Sequence, residues 1–464
     1  MAQIPDVIVI GGGVAGLAAA NVLAGQGVRV RLIEARGRLG GRIFSHDGPA
    51  WGAPMELGAE FIHGGNPEFD EFLTDAGLAT RSAEGEMWLF EQGVLRRTPD
   101  FWERVARIAA QIPAAARGFS FADFLAAAKH DIPAEDQRLM THFVEGFNAA
   151  PAGNLSAAVL RADHAGAEDP QKRLVKGYNC VVEALRRQLP AGQVEVVLHA
   201  DVTEVRWEAG AAIVQVRSDG EDVAPLHEAR AVIVTVPLGL LKAGALKFTP
   251  PLEAKDAAIQ RAGWGDVVRF NLRFTPDIWR DEIVPAELRG ENGATFAFLN
   301  APGEKIPVWW APAPRAPVLV GWVGGPAADR VMRESGNELL ADAAETLGRI
   351  WKADPVEVRQ RIVEWRWHNW RSDVFSRGAY SYAAAGAEDA AREIALPVAG
   401  TLFFAGEATA EPTELGTVHG AFASGLRAAE EVLSALGTTA GIVRGAPPSR
   451  RQSARGSGGS PQSG

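Results

Sequence analysis

One stretch at the amino end constrains the fold more than any other. A run with strand character, Asp6-Val-Ile-Val-Ile10, breaks into Gly11-Gly12-Gly13-Val14-Ala15-Gly16, passes through an alanine-rich run to Gln26, and resumes as Val28-Arg-Val-Arg-Leu-Ile33-Glu34. The spacing predicts strand, tight turn, helix and a second strand. Gly11 permits the turn, Gly13 lets a pyrophosphate approach bare backbone, and Gly16 lets the helix lie close against the strand. The free N–H groups at Val14 and Ala15 open the helix and favour an anion, helped by the helix dipole. Glu34 ends the second strand about twenty residues on, where an acid bonds both hydroxyls of an adenosine ribose and disfavours a 2′-phosphate. The unit predicts dinucleotide binding in an α/β fold.

Downstream, Ala35-Arg36-Gly37-Arg38-Leu39-Gly40-Gly41-Arg42 is followed by Leu57-Gly58-Ala59-Glu60-Phe61-Ile62-His63. Far along the chain, Phe403-Phe404-Ala405-Gly406-Glu407 precedes Thr417-Val418-His419-Gly420-Ala421. In these phrases the sequence resembles the flavin-containing amine oxidases, which include monoamine oxidases, polyamine oxidases and lysine-specific histone demethylases. The resemblance covers Asp6 to Leu436 and implies non-covalent FAD. It assigns Arg36 and the Gly40-Gly41-Arg42 turn to FAD, with Arg38 a bystander, and it carries the turn Gly58-Ala59-Glu60 past the isoalloxazine. It places the backbone of Val202 against adenine, Glu407 near the ribityl or phosphate region, and the helix opening at Thr417 and Val418 toward the flavin pyrimidine.

The same resemblance names residues around the substrate. Tyr380 matches one wall of an aromatic cage before the flavin, and the opposite wall falls at Thr417. Trp370 matches a tryptophan beside the flavin, and His63 a polar residue near the amine. Ala379 stands where monoamine oxidases carry the cysteine that bonds FAD covalently, so that bond cannot form there. Arg269 replaces the lysine that most relatives use to hold a water against flavin N5. This departure leaves oxygen and another electron acceptor both open.

Composition sets the outer bounds. The 464 residues carry a formal charge of −10, which disfavours nucleic acid and favours cationic small molecules. Cys180 is the only cysteine and excludes an intramolecular disulfide, which fits a reducing compartment. The dinucleotide strand begins almost at residue 1 and no apolar run reaches membrane-span length, so the expectation is a cytoplasmic protein. No metal-ligand spacing is evident, and no metal is expected.

The predicted architecture is α/β (α+β overall): a Rossmann-type FAD-binding domain of discontinuous segments, 1–80, 172–266 and 386–440, and a substrate domain of 81–171 and 267–385 with a mixed sheet and a helical insertion. A tail from 441 to 464 is too polar to build a core and is expected to be disordered. Met87 to Leu95 reads as a hairpin and 101–160 as helices broken at Pro113, Pro133 and Pro151, while Leu174 to Leu185 resembles the family helix that returns the chain to the FAD domain, with Cys180 in its middle. Ala231 to Val236 reads as a buried parallel strand, and Asn337 to Trp351 as a helix against the second sheet. Trp309, Trp310 and Trp322 fit either a core or a binding wall.

The function expected is oxidation of a small-molecule amine by hydride transfer to flavin, giving an imine that hydrolyses to a carbonyl compound. A desaturase or dehydrogenase on the same fold, and a catalytically weakened flavin-binding interaction module, are the alternatives; Arg269 and Thr417 are the features that favour the last.

Overall fold

The computed structural model of the protein describes residues 5–437 apart from 47, 84, 164–170 and 218–226, so the expected tail lies outside the described residues. Its organising element is a parallel sheet in the order Leu402–Phe404, Ala231–Val234, Val7–Ile10, Val30–Ile33, Val194–Val197. The alternation of side chains along a strand explains how it is covered on both faces. Val7, Val9, Val30, Leu32 and Ile233 point toward helices Val14–Gly25, Asn179–Gln188 and Val418–Ala435. Ile8, Ile10, Ile33, Val232 and Val234 point toward a second sheet, in the order His227–Ala229, Ala211–Arg217, Asp201–Glu208, Lys247–Thr249. The result is three layers with two apolar seams.

The second large sheet has seven strands in mixed directions: Ile362–Asn369, Val267–Phe274, Val318–Gly324, Val308–Trp310, Phe296–Asn300, Glu86–Glu91, Val94–Arg97. Along Val267–Phe274 the residues Val268, Phe270, Leu272 and Phe274 pack with Leu339, Ala343, Leu347 and Ile350 of the helix Gly336–Trp351. Arg269 and Asn271 therefore face the other way, toward the first half of the molecule. Helices Phe101–Gln111, Phe121–Ala127, Ala134–Asn148 and Ala157–Asp163 form the insertion and share a third core with Met87 and Leu89.

Two local expectations are corrected. Leu174 belongs to a strand, Lys172–Leu174, paired with Thr80–Ser82, and the helix begins only at Asn179 because Gly177 adopts a left-handed turn with φ of 76°. Cys180 consequently lies in the first helical turn, half-buried, where burial raises its thiol pKa. That state is unreactive, as expected of a packing residue.

Candidate active site

A cavity of about 360 Å³ runs from the first sheet to the helical insertion. Its near end is the glycine turn. Gly11 has φ of 109°, and a Cβ there would stand 2.5 Å from the Thr235 hydroxyl, which donates to the Ile10 carbonyl at 2.8 Å and closes the turn. A Cβ on Gly16 would lie 2.0 Å from the Gly11 oxygen, so Gly16 packs the helix and does not line the cavity. A Cβ on Gly13 would meet nothing within 4 Å. Bare backbone thus borders open space there, and helix Val14–Gly25 has no side-chain cap on its first N–H groups. Uncapped donors at a helix start attract phosphate.

Glu34 is buried and accepts from the Gly12 N–H at 2.7 Å and the Arg36 N–H at 2.8 Å. Burial raises its pKa, against those two hydrogen bonds and the charge of Arg36. Arg36, expected to hold the cofactor, also lines the cavity, but its fork grips Asp373 at 2.6 and 3.0 Å and Ser376 at 3.0 Å. Arg38 bonds the carbonyls of Leu39, Gly41 and Ile43, which makes it the brace of the glycine loop. Val202 lines the same end.

Midway, Arg42 donates to Glu407 and to the Ala379 carbonyl, each at 2.7 Å. The other Glu407 oxygen accepts from the Gly416 N–H at 2.8 Å and from the Ser381 hydroxyl. Glu407 therefore fixes Arg42 and the segment leading into the last helix, and both residues line the cavity. Thr417 caps that helix: its hydroxyl accepts from the Gly420 N–H at 2.9 Å and donates to the Glu414 carbonyl at 2.7 Å. Thr417 and Val418 border the cavity at the helix start, as do Gly41, Gly58, Ala59 and Trp370. The indole of Trp370 donates to the Leu57 carbonyl at 2.9 Å, which locks the ring beside the Gly58 turn.

Arg269 is 2% exposed and belongs to a buried ionic cluster. Its guanidinium donates to the Gly58 carbonyl at 2.9 Å and to Glu60, which also accepts from Arg173 at 2.6 Å and from the Trp310 indole at 3.0 Å. Burial pushes the Glu60 carboxyl up, but the guanidinium charges of Arg269 and Arg173 outweigh it and hold the group below the usual range. Glu60, expected to touch cofactor, thus serves as counter-ion to two arginines. The Nε of Arg269 remains buried without a partner. An unpartnered buried donor carries a large desolvation cost, and a bound acceptor or water relieves it.

Beyond Arg269 the cavity is walled by rings in sequence. Tyr380 stacks with Trp322 at 6.4 Å, Trp322 meets Trp310 at 5.9 Å, and Trp310 meets Phe61 at 5.5 Å and Phe298 at 5.8 Å. Phe61 meets His63 at 5.7 Å, and His63 meets Phe147 at 5.0 Å. Tyr380 is fixed by donating to the Phe147 carbonyl at 2.7 Å. Burial, with a smaller contribution from His419, lowers the His63 pKa to about 4, so the ring is neutral. Of the three tryptophans, Trp309 packs in the core while Trp310 and Trp322 line the cavity. Strand alternation could have separated Trp309 from Trp310, but the sequence did not say which face was the core.

Several wall residues escaped sequence reasoning: His142, Gln171, Asn300 and Phe298. Arg173 and Asp373, which hold Glu60 and Arg36, were missed as well. Each lies far along the chain from its partner, and no local motif marks it. Uncapped helix N–H groups, open space at Gly13 and an orphaned Arg269 donor fit a flavin dinucleotide with its phosphates at the first helix and its ring toward Arg269.

Comparison with known proteins agrees. The family described as flavin containing amine oxidoreductase matches residues 14–433. The chain is 29% identical over 473 residues to lysine-specific histone demethylase 1 homolog 1 of Oryza sativa subsp. japonica, covering 93% of this chain but 52% of that protein. It is 28% identical over 498 residues to the human peroxisomal N(1)-acetyl-spermine/spermidine oxidase, covering 93% of this chain and 95% of that one. Among solved structures, wild-type putrescine oxidase bound to putrescine shares the fold with a TM-score of 0.74 at 24% identity, covering 93% of this chain and 99% of that one. The chain therefore belongs to the flavin-containing amine oxidoreductase family, and its cofactor is FAD.

Proposed function

We propose that the protein oxidises a small-molecule amine, with FAD held by Gly11, Gly13, Val14, Ala15, Glu34, Gly41, Arg42, Gly58, Ala59 and Val418. The reading rests on the aromatic passage from Tyr380 to Phe147, which opens beside Arg269 and Trp370. When bound, FAD supplies the acceptor for a hydride equivalent from the amine α-carbon, leaving an imine that water hydrolyses to a carbonyl compound. Tyr380 and Trp322 present ring faces that orient the amine, and an amine held between rings against a fixed acceptor gains chiefly from positioning. Neutral His63 accepts a hydrogen bond without competing as a cation. The uncapped part of the helix at Val418 lends partial positive charge to the ring edge that gains electrons. Segments 1–80, 172–266 and 386–440 serve the cofactor, and 81–171 with 267–385 serve the substrate. Ala379 carries no thiol, so FAD is non-covalent and acid precipitation releases all its colour into the supernatant.

The electron acceptor turns on Arg269. Clamped by Glu60 and the Gly58 carbonyl, the guanidinium stays protonated and planar, whereas a lysine could release a proton and hold a compact water. Glu60 also offsets its charge. Reduced enzyme accordingly reacts slowly with oxygen and prefers another acceptor. Stopped-flow reoxidation checks this: Arg269→Lys gains at least severalfold in oxygen rate, and coincident rates for the two proteins would remove the idea.

A further inference from the structure

We infer that the far end of the cavity is a subsite for an uncharged hydrogen-bonding group on the substrate, an amide or hydroxyl, recognised by His142, Asn300 and Gln171. The inference rests on the amine reading above and adds the chemistry of the substrate's other end.

His142 lies on the helix Ala134–Asn148, one residue before Phe143, and Asn300 ends the strand Phe296–Asn300 in alternation with Phe298. Both line the cavity, and the Asn300 side chain acts on His142, favouring its protonated form against burial. The imidazole Nε2 of His142 is buried and has no partner. Gln171 arrives from a third direction. Ile62 and Lys172 form an antiparallel bridge, which sets Gln171 opposite His63, and its Oε1 is likewise buried and unpartnered. Unmet acceptors and donors cluster in this way where a ligand or water completes them.

The surroundings decide the charge of that ligand. Burial keeps His142 neutral, with a pKa of about 4, so it cannot counter a carboxylate. Glu60, which accepts from the Trp310 indole of the aromatic passage, is already shared by Arg173 and Arg269, and the three together carry net positive charge. Among the described residues, a second ammonium at this end would be buried beside that net positive charge, at high cost. Asp163 also lines the cavity at the end of its helix, and burial pushes its carboxyl up to about 6, so the ionised form is held poorly there. An amide or alcohol meets an imidazole nitrogen and a carbonyl oxygen without any of these penalties.

The test is a series of straight-chain amines of matched length ending in carboxamide, hydroxyl, ammonium, carboxylate or methyl, each used to reduce the flavin anaerobically. The carboxamide or hydroxyl member should give the highest kcat/KM, and His142→Leu or Gln171→Leu should lower it roughly tenfold per lost hydrogen bond, chiefly through KM. The methyl member should be unaffected, and His142→Gln should restore part of the loss. A carboxamide lacking the amine should raise the melting temperature of wild-type holoenzyme and not that of His142→Leu. Preference for the ammonium or carboxylate member, or equal losses for polar and methyl tails, overturns the inference while leaving amine oxidation standing. Failure of every amine to reduce the flavin overturns both readings.

Discussion

Glu56 shows how a single residue can shape the pH dependence of the fold's stability without touching the cavity. It is 3% exposed, accepts from the Tyr178 N–H and the Ser45 hydroxyl at 2.7 Å each, and burial pushes its pKa from 4.5 to about 7. The folded state therefore holds a proton between pH 4.5 and about 7 that the unfolded chain has released. Stability is lost as pH rises through this window, by about 3 kcal/mol once both states are ionised. Glu56→Gln should be more stable than wild type in mildly alkaline buffer, and the gap should close below pH 4.5. Thermal melts across pH measure it; a constant gap would show that Glu56 is ionised in the fold. Nothing in the sequence marks Glu56, because its shift comes from burial in the folded chain, against the lowering hydrogen bonds from Ser45 and from the Tyr178 N–H 122 residues away. The same holds for Glu60, which reads locally as part of a cofactor turn and is claimed by Arg173 and Arg269 across 113 and 209 residues. The placement of Gly11 and Gly13 in the turn and of Glu34 after the second strand was legible because it is fixed within one turn and one strand.

At the scale of elements, the first and last helices touch through glycine. A Cβ on Gly425, within Val418–Ala435, would stand 2.3 Å from the Ala15 carbonyl in the first turn of Val14–Gly25. Gly425→Ala must push the two helices apart, an overpacking cost of about 1–3 kcal/mol. Because Ala15 also borders the cavity, the variant should lose FAD more readily as well as melt lower. Titration of apoprotein with FAD and a thermal melt check this, and an unchanged pair of values would refute it. The first helix was legible from the glycine turn and the alanine-rich run behind it, and the last from the family resemblance at Thr417 and Val418. The helix Asn179–Gln188 was placed too early, since Leu174 and Val175 read on toward it and only the left-handed turn at Gly177 parts them.

The whole molecule brings the parallel sheet that contains Val7–Ile10 and the seven-stranded sheet onto one cavity, which Arg269 and Trp370 also line. The α/β fold, the mixed sheet and the helical insertion were legible from hydrophobic pattern and family resemblance. The far polar wall was not, because His142, Gln171 and Asn300 come from three separated segments that only the folded chain assembles. Among the described residues no helix is long and apolar enough to cross a membrane. Whether an amine is the electron donor is measured directly by anaerobic mixing of the yellow holoenzyme with an amine panel. Flavin absorbance should bleach with amines, faster as pH rises and the free base forms, and more slowly in Tyr380→Ala that still retains its FAD. Flavin that stays oxidised with every amine while bleaching with amino acids or carbon acids would contradict the amine reading.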